Sequence, residues 1–200
     1  MKRILILILG LSLMALGASV CTITGLGIDP FNALCVAFSN IFNIQLGNMV
    51  LILQAVLGII VLLFDRTKLG VGTLIPMVLF GYLLQFFNWS IPQVISNGEY
   101  FLSNLFIFLS GALIIALGMS TYMECEIGMV PYDCLSFIIG ERIKKNPFTF
   151  RMIIDTFVAV AAFILGGPIN FGTVLLALLI GPLINLFRKK VTYRLFSMDE

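Results

Sequence analysis

The chain has no histidine, so it offers no imidazole acid–base chemistry and no histidine-ligated metal. Charge is scarce too. Only 11% of the 200 residues are Asp, Glu, Lys or Arg, against about 25% in soluble domains. The four cysteines, Cys21, Cys35, Cys125 and Cys134, form no C-x-x-C pair and no metal-ligand spacing. They read as small apolar residues in helices. No nucleotide-binding motif occurs. With no visible nucleophile–base pair, the sequence argues against an enzyme. No catalytic residue, cofactor, metal or nucleic-acid partner is expected.

What is present is apolar. Hydrophobic residues make up 60% of the chain and the mean hydropathy is +1.10. Ile4 to Ile28 and Met49 to Phe64 carry no charge at all. One membrane span needs about 20 apolar residues, which leaves room for about six spans and no sizeable soluble domain. Met1-Lys2-Arg3 before an apolar run imitates a signal peptide. That run is too long for the apolar stretch of a usual signal peptide, and Val20 stands before Cys21 where lipoprotein cleavage favours a small residue. It reads as an uncleaved first transmembrane helix.

An internal repeat organises the chain. Shifting the second half back by about 101 residues aligns Gly10 with Gly111, Ala15-Leu16-Gly17 with Ala116-Leu117-Gly118, and Ser19 with Ser120. Gly27 and Pro30 then meet Gly128 and Pro131. After a one-residue gap, Gly72-Thr73 meets Gly172-Thr173 and Gly81 meets Gly181. Each half has a long apolar helix, at about 4–24 and 103–123, then a Gly/Pro break. A short helix follows at about 30–43 and 131–143, with proline favoured at its first position. Two more spans close each half, at about 48–65 and 71–88, then about 150–166 and 171–187. The chain divides into repeat 1 at about 4–88, a linker at about 89–102, repeat 2 at about 103–188 and a basic tail at about 189–200.

The short helices decide the topology. Fourteen residues rise about 21 Å, less than the hydrocarbon core of about 30 Å. If they re-enter without crossing, each half crosses three times and the halves are inverted. If they cross, eight short crossings form parallel repeats. With the N-terminus inside and three crossings per half, Lys2, Arg3, Arg66, Lys68, the run Arg142 to Arg151 and the run Arg188 to Arg194 all fall on the cytoplasmic side. The outer loops then hold Asp29 and Glu99 and no basic residue. Eight crossings would move Arg66 and Lys68 outside. The expected fold is an all-α polytopic membrane protein of two homologous halves. Each half has three transmembrane helices and one re-entrant helix, and the topology is inverted.

The segments Gly27-x-x-Pro30-Phe-Asn-x-Leu34 and Gly128-x-x-Pro131-Tyr-Asp-x-Leu135, the paired Gly-Thr steps and Gly166-Gly167 resemble the YitT/YczE group of small bacterial membrane proteins. The resemblance spans essentially the whole chain. It implies a bacterial inner-membrane protein of transporter-like build, without a defined substrate. The group's pattern often has Asp two residues after the proline. Pro131-Tyr132-Asp133 matches it, whereas the first half carries Asn32 in that place.

Two acids stand out from those beside loops and basic residues, which are Asp65, Glu124, Glu126 and Glu141. Asp133 lies in the first turn of a short helix, and Asp155 lies within the apolar segment Met152-Ile-Ile-Asp-Thr-Phe-Val-Ala-Val. A charge at membrane depth costs at least about 2.5–3.5 kcal/mol on insertion scales and marks a functional candidate. Asn32 is the repeat equivalent of Asp133, Gln54 of Asp155 and Thr73 of Thr173, so polar groups recur at matched places. Simpler readings stand beside these. Asp133 caps its helix, Asp155 pairs with Arg151 near the cytoplasmic interface, and Thr73 and Thr173 start helices. The solute-binding candidates are Asn32, Gln54, Thr73, Asp133, Asp155 and Thr173. The helix breaks Gly27, Pro30, Gly128 and Pro131 are expected to meet around them.

Inverted repeats with discontinuous helices are a transporter design. The expected function is a secondary transporter or facilitator of a small polar solute, with proton or Na⁺ coupling. The surroundings are the lipid bilayer of the bacterial inner membrane, with both termini cytoplasmic. Homo-oligomerisation stays open. Two other classes compete: a substrate-capturing membrane subunit of an ATP-driven transporter, and a non-transporting scaffold or regulatory factor working through its basic tail.

Overall fold

The computed structural model describes residues 2–65, 73–95, 98, 100–125 and 127–189. Arg66, Lys68, Gly72, Glu99, Glu126, Lys190 and Arg194, on which parts of the sequence reading fall, lie outside the described residues.

Among the described residues eight α-helices carry the fold: α1 Lys2–Ile23, α2 Pro30–Phe42, α3 Leu46–Phe64, α4 Leu74–Ser90, α5 Phe101–Glu124, α6 Pro131–Ile143, α7 Pro147–Ile164 and α8 Phe171–Phe187. A 3-10 turn, Ile91–Gln93, continues α4. The boundaries follow from local chemistry. Asp29 caps α2 by accepting the Asn32 N–H, and Pro30 takes the first helical position. Asn43 (φ 54°) ends α2 in the left-handed conformation, and Lys144 (φ 55°) does the same for α6. Asn146 caps α7 and Pro147 opens it. Asn170 and Thr173 form a reciprocal capping box at α8.

The chain is an all-helical multi-pass membrane protein. Among the described residues five helices are long and apolar enough to cross a membrane: α1, α3, α4 with its 3-10 turn, α5 and α7. The sixth expected span, α8, has 17 residues, a rise of about 26 Å. The expected short helices, α2 and α6, have 13 residues each. Large apolar side chains such as Leu63, Phe157 and Ile164 face outward, as lipid-facing positions do.

The central seam is α1 against α5. A Cβ added at Gly10 would sit 2.9 Å from the Gly118 carbonyl oxygen, and one at Gly17 would sit 2.7 Å from that of Gly111. Farther along, the Cys21 thiol reaches the Phe108 carbonyl at 3.5 Å. Rising numbers on α1 thus meet falling numbers on α5, so the two helices run antiparallel. Small residues allow this backbone approach, as in other membrane helix pairs.

The remaining packing comes in matched sets. Helices α1 and α4 pair as α5 and α8 do, α3 and α4 as α7 and α8, and α2 and α3 as α6 and α7. The short helices cross over: α2 packs on α7, and α6 packs on α3. Two groups can be drawn from these contacts, joined to each other by the α3–α4 and α7–α8 packing. One contains α1, α4, α5 and α8. The other contains α2, α3, α6 and α7. Each group takes two helices from each half of the chain.

Candidate functional site

Both helix breaks deliver their polar groups to one place between these groups. After α1, Gly27 turns the chain at φ 123°, a conformation that favours glycine. A Cβ there would also lie 2.5 Å from Thr173 Oγ1. The Gly172 N–H bonds to the Leu26 carbonyl at 2.8 Å, and the Asn170 side-chain amide donates to the Gly25 carbonyl at 3.0 Å. The first break is thus tied to the start of α8. Asp29 and Pro30 follow and begin α2. In the second half Gly128, Met129 and Val130 lead to Pro131 and α6. The residues after the two prolines stack directly: the rings of Phe31 and Tyr132 are 4.6 Å apart.

Around that stack lies a buried polar cluster. Asp133 accepts hydrogen bonds from the Arg151 guanidinium and the Tyr122 hydroxyl. The Tyr132 hydroxyl donates to Asp155 at 2.5 Å. Arg151 Nε lies 3.6 Å from Asp155 Oδ2, close enough for charge attraction but too far for a hydrogen bond. The same guanidinium carbon stands 5.8 Å from the Tyr132 ring centre. Gln54 Oε1, from α3, accepts the Tyr132 backbone N–H at 3.2 Å and so satisfies the start of α6 from across the molecule. At the other break the Asn32 side-chain amide donates to Asp29. Asn32, Gln54, Asp133, Arg151 and Asp155 are all buried.

Two small cavities run through the cluster, of about 20 and 10 Å³. Each has room for about one water molecule, so the site is closed around its polar groups. Asp29, Asn32 and Arg151 border both, Asp155 the larger, and Gln54 and Asp133 the smaller. Two buried polar atoms here have no hydrogen-bond partner among the described residues: Asn32 Oδ1, an acceptor, and Arg151 Nε, a donor. An unsatisfied buried group costs about 1–3 kcal/mol. The larger cavity's apolar wall includes Met14, Ile115, Met119, Leu176 and Ile180. Those residues belong to α1, α5 and α8, whereas every charged lining residue comes from the chain around α2, α3, α6 and α7.

Four of the six sequence-selected polar positions, Asn32, Gln54, Asp133 and Asp155, come together here. Thr73 and Thr173 border neither cavity. Thr173 is buried in the α8 capping box, which matches the simpler reading of it as a helix start. Three expectations need correction. Asp133 does not cap its helix: α6 starts at Val130 with no side-chain cap, because the carboxylate is engaged by Arg151 and Tyr122. Arg151 does not belong with the exposed basic run that begins at Arg142. It is 8% exposed, inside the cluster. Asp29 is not simply an outer-loop acid but a helix cap that lines both cavities.

Sequence reasoning thus missed Arg151, Asp29, Tyr122 and Tyr132 as site residues. An Asp before Pro at a helix start signals a cap. Arg151 and Asp155 stand at i,i+4 spacing, one turn apart on one helix face. Tyr132 stands in the Pro131-Tyr132-Asp133 segment that carries the family resemblance, whereas nothing in the sequence singles out Tyr122 among the apolar aromatics. Among the described residues no group of three or more acids or cysteines is placed to hold a metal ion. The cluster instead sets three carboxylates, Asp29, Asp133 and Asp155, around one guanidinium.

Residues 1–189 match the model of a family of unknown function, DUF6198. The chain is 32% identical to the membrane protein YczE of Bacillus subtilis over 174 residues, 86% of this chain and 79% of YczE. It is 28% identical to the Bacillus subtilis protein YyaS over 192 residues, 96% and 95% of the two chains. It is also 28% identical to a Haemophilus influenzae protein over 187 residues, 93% and 83% of the two. No solved structure matches. A buried polar core at two helix breaks, inside a repeat of membrane helices, is therefore the candidate site of a protein that belongs to the DUF6198 family, with YczE among its relatives.

Proposed function

We propose that the chain is a secondary transporter or facilitator of a small polar solute, coupled to a proton or cation, with its site between two inverted repeats. The observation that carries this reading is the buried set Asp133, Arg151 and Asp155 with the half-buried Asp29, gathered where two helix breaks meet. Each charge at membrane depth costs about 2.5–3.5 kcal/mol or more, and intramembrane charges of this kind mark solute or proton paths. The excess of carboxylates over guanidinium is relieved by a proton or a bound cation.

The inverted arrangement is supported by the antiparallel α1–α5 seam. If α1 and α5 are repeat equivalents, Gly10 meets the counterpart of Gly17 and Gly17 meets the counterpart of Gly10. A twofold axis perpendicular to the two helices produces that exchange, and the matched contact sets agree with it. Discontinuous helices meeting at such an axis are where secondary transporters bind their cargo. On this reading both termini are cytoplasmic and the membrane is the bacterial inner one.

Alternating accessibility tests the proposal without a known solute. Ala18 borders the larger cavity. Ala18→Cys, in a background without Cys21, Cys35, Cys125 and Cys134, is expected to react with a membrane-impermeant thiol reagent in both right-side-out and inside-out vesicles. Reaction from one side only, or from neither, would count against a transporter and favour a scaffold.

A further inference from the structure

We propose that the cavity bounded by Asp29, Asn32, Arg151 and Asp155 binds a small zwitterion of the aliphatic amino-acid type. The ammonium is held by Asp29, Asn32 Oδ1 and Asp155, and the carboxylate by Arg151. This inference rests on the transporter reading above and adds the chemistry of the solute.

Three observations converge. The first is the pair of unpartnered atoms. Asn32 Oδ1 and Arg151 Nε have no hydrogen-bond partner among the described residues, and the two residues are 3% and 8% exposed. Both residues border the same cavity. One atom needs a donor and the other an acceptor, so the matching ligand carries both.

The second is the charge pattern. Asp29 and Asp155 share the cavity wall with Arg151. A ligand bearing only a positive charge would leave Arg151 Nε without an acceptor, and one bearing only a negative charge would be repelled by the two carboxylates. A zwitterion pairs with both signs and adds no net charge to a desolvated site. The carboxylate excess then remains available to the coupled proton or cation.

The third is the apolar wall. Met14, Ile115, Met119, Leu176 and Ile180 offer no polar side chain and suit a short aliphatic group beside the charged ends. The closed cavity of about 20 Å³ fits one water, so the solute enters as the helices part. That single water, bridging Asn32 Oδ1 and Arg151 Nε, is the competing occupant.

The test uses the purified full-length protein in detergent, titrated calorimetrically with L-alanine, L-valine, alaninamide and propionate. The amide carries the positive charge alone and propionate the negative charge alone. At least one of the two amino acids is expected to bind. Alaninamide and propionate are expected to bind at least about tenfold more weakly, because each leaves charged groups of the site unpaired. Arg151→Lys keeps the charge but loses the planar fork, and is expected to narrow the preference for L-alanine over alaninamide. Should that variant fail to fold, the comparison on the unaltered protein still decides.

Alaninamide binding as tightly as L-alanine would overturn the proposal in favour of a cation site, and propionate binding as tightly would overturn it in favour of an anion site. No binding by any of the four leaves a water-filled cavity and also overturns it. The Ala18→Cys labelling separates the two levels of failure. Two-sided labelling without zwitterion binding sinks the solute class alone, whereas absent or one-sided labelling sinks the transporter reading beneath it.

Discussion

Arg151 does not treat its two acidic neighbours alike. It hydrogen-bonds Asp133, but its Nε stops 3.6 Å short of Asp155 Oδ2. Breaking a buried ion pair by removing one partner costs about 3–5 kcal/mol. Asp133→Asn should therefore lower the thermal unfolding temperature in detergent more than Asp155→Asn, and equal losses would refute the unequal pairing. Both variants keep size and remove charge, so both are expected to reach the membrane yet lose coupled transport once a solute assay exists. At this scale the sequence disclosed the acids better than their partner. Asp155 stands out because apolar residues flank it. Arg151 lies four residues nearer the basic run, where charge counting merges it with Lys144 and Lys145. Hydropathy along a chain cannot say how deep a helix sets its first turns. Tyr122 was hidden for another reason: a phenol in an apolar segment looks like any other aromatic until its hydroxyl is seen to have an acceptor.

The helices themselves were readable, and for physical reasons. Uncharged runs fix the long ones, while Pro30, Pro131 and Pro147 mark helix starts through their fixed φ and missing N–H. The seven-residue spacing of Gly10 and Gly17, and of Gly111 and Gly118, puts each pair on one helix face and marks close packing, which the α1–α5 seam bears out. At Gly118 an added Cβ would meet Gly10 O and Met14 N at 2.5 Å each, and these are backbone atoms that cannot step aside. At Gly58 it would meet only the Pro131 ring, at 3.6 Å, an ordinary van der Waals contact. Gly118→Val should therefore open the α1–α5 seam and abolish a monodisperse peak in size-exclusion chromatography, by an overpacking cost of about 1–3 kcal/mol or more. Gly58→Ala should elute as the unaltered protein does. If both variants behave alike, the seam is not the close approach described.

Across the whole molecule, the repeat was visible because Gly, Pro and Thr held their spacing where Leu-to-Leu matches carry little weight. In the sequence its orientation rests on one loop, and the antiparallel α1–α5 seam stands beside it. Lys68 faces the cytoplasm if the short helices re-enter, and the outside if they cross. Lys68→Cys, in a background without the four native cysteines, should resist an impermeant thiol reagent added to intact cells and react after permeabilisation. Labelling in intact cells would refute the cytoplasmic placement of that loop. The pairing of α2 with α7 and α6 with α3 was not legible, because periodicity within a helix does not name its neighbour.

That crossing over has a mechanical consequence. A parting of the two helix groups would run along the α3–α4 and α7–α8 contacts and not between the halves of the chain. Asp29, Asp133, Arg151 and Asp155 all sit on one side of that line, so sliding one group past the other separates no opposite charges. Within the polar cluster described above, the hydrogen bond that spans the line is the one from Tyr122 on α5 to Asp133 on α6. That hydrogen bond is the one at the cluster that such a parting would break, and the charge it holds is one a proton would cancel.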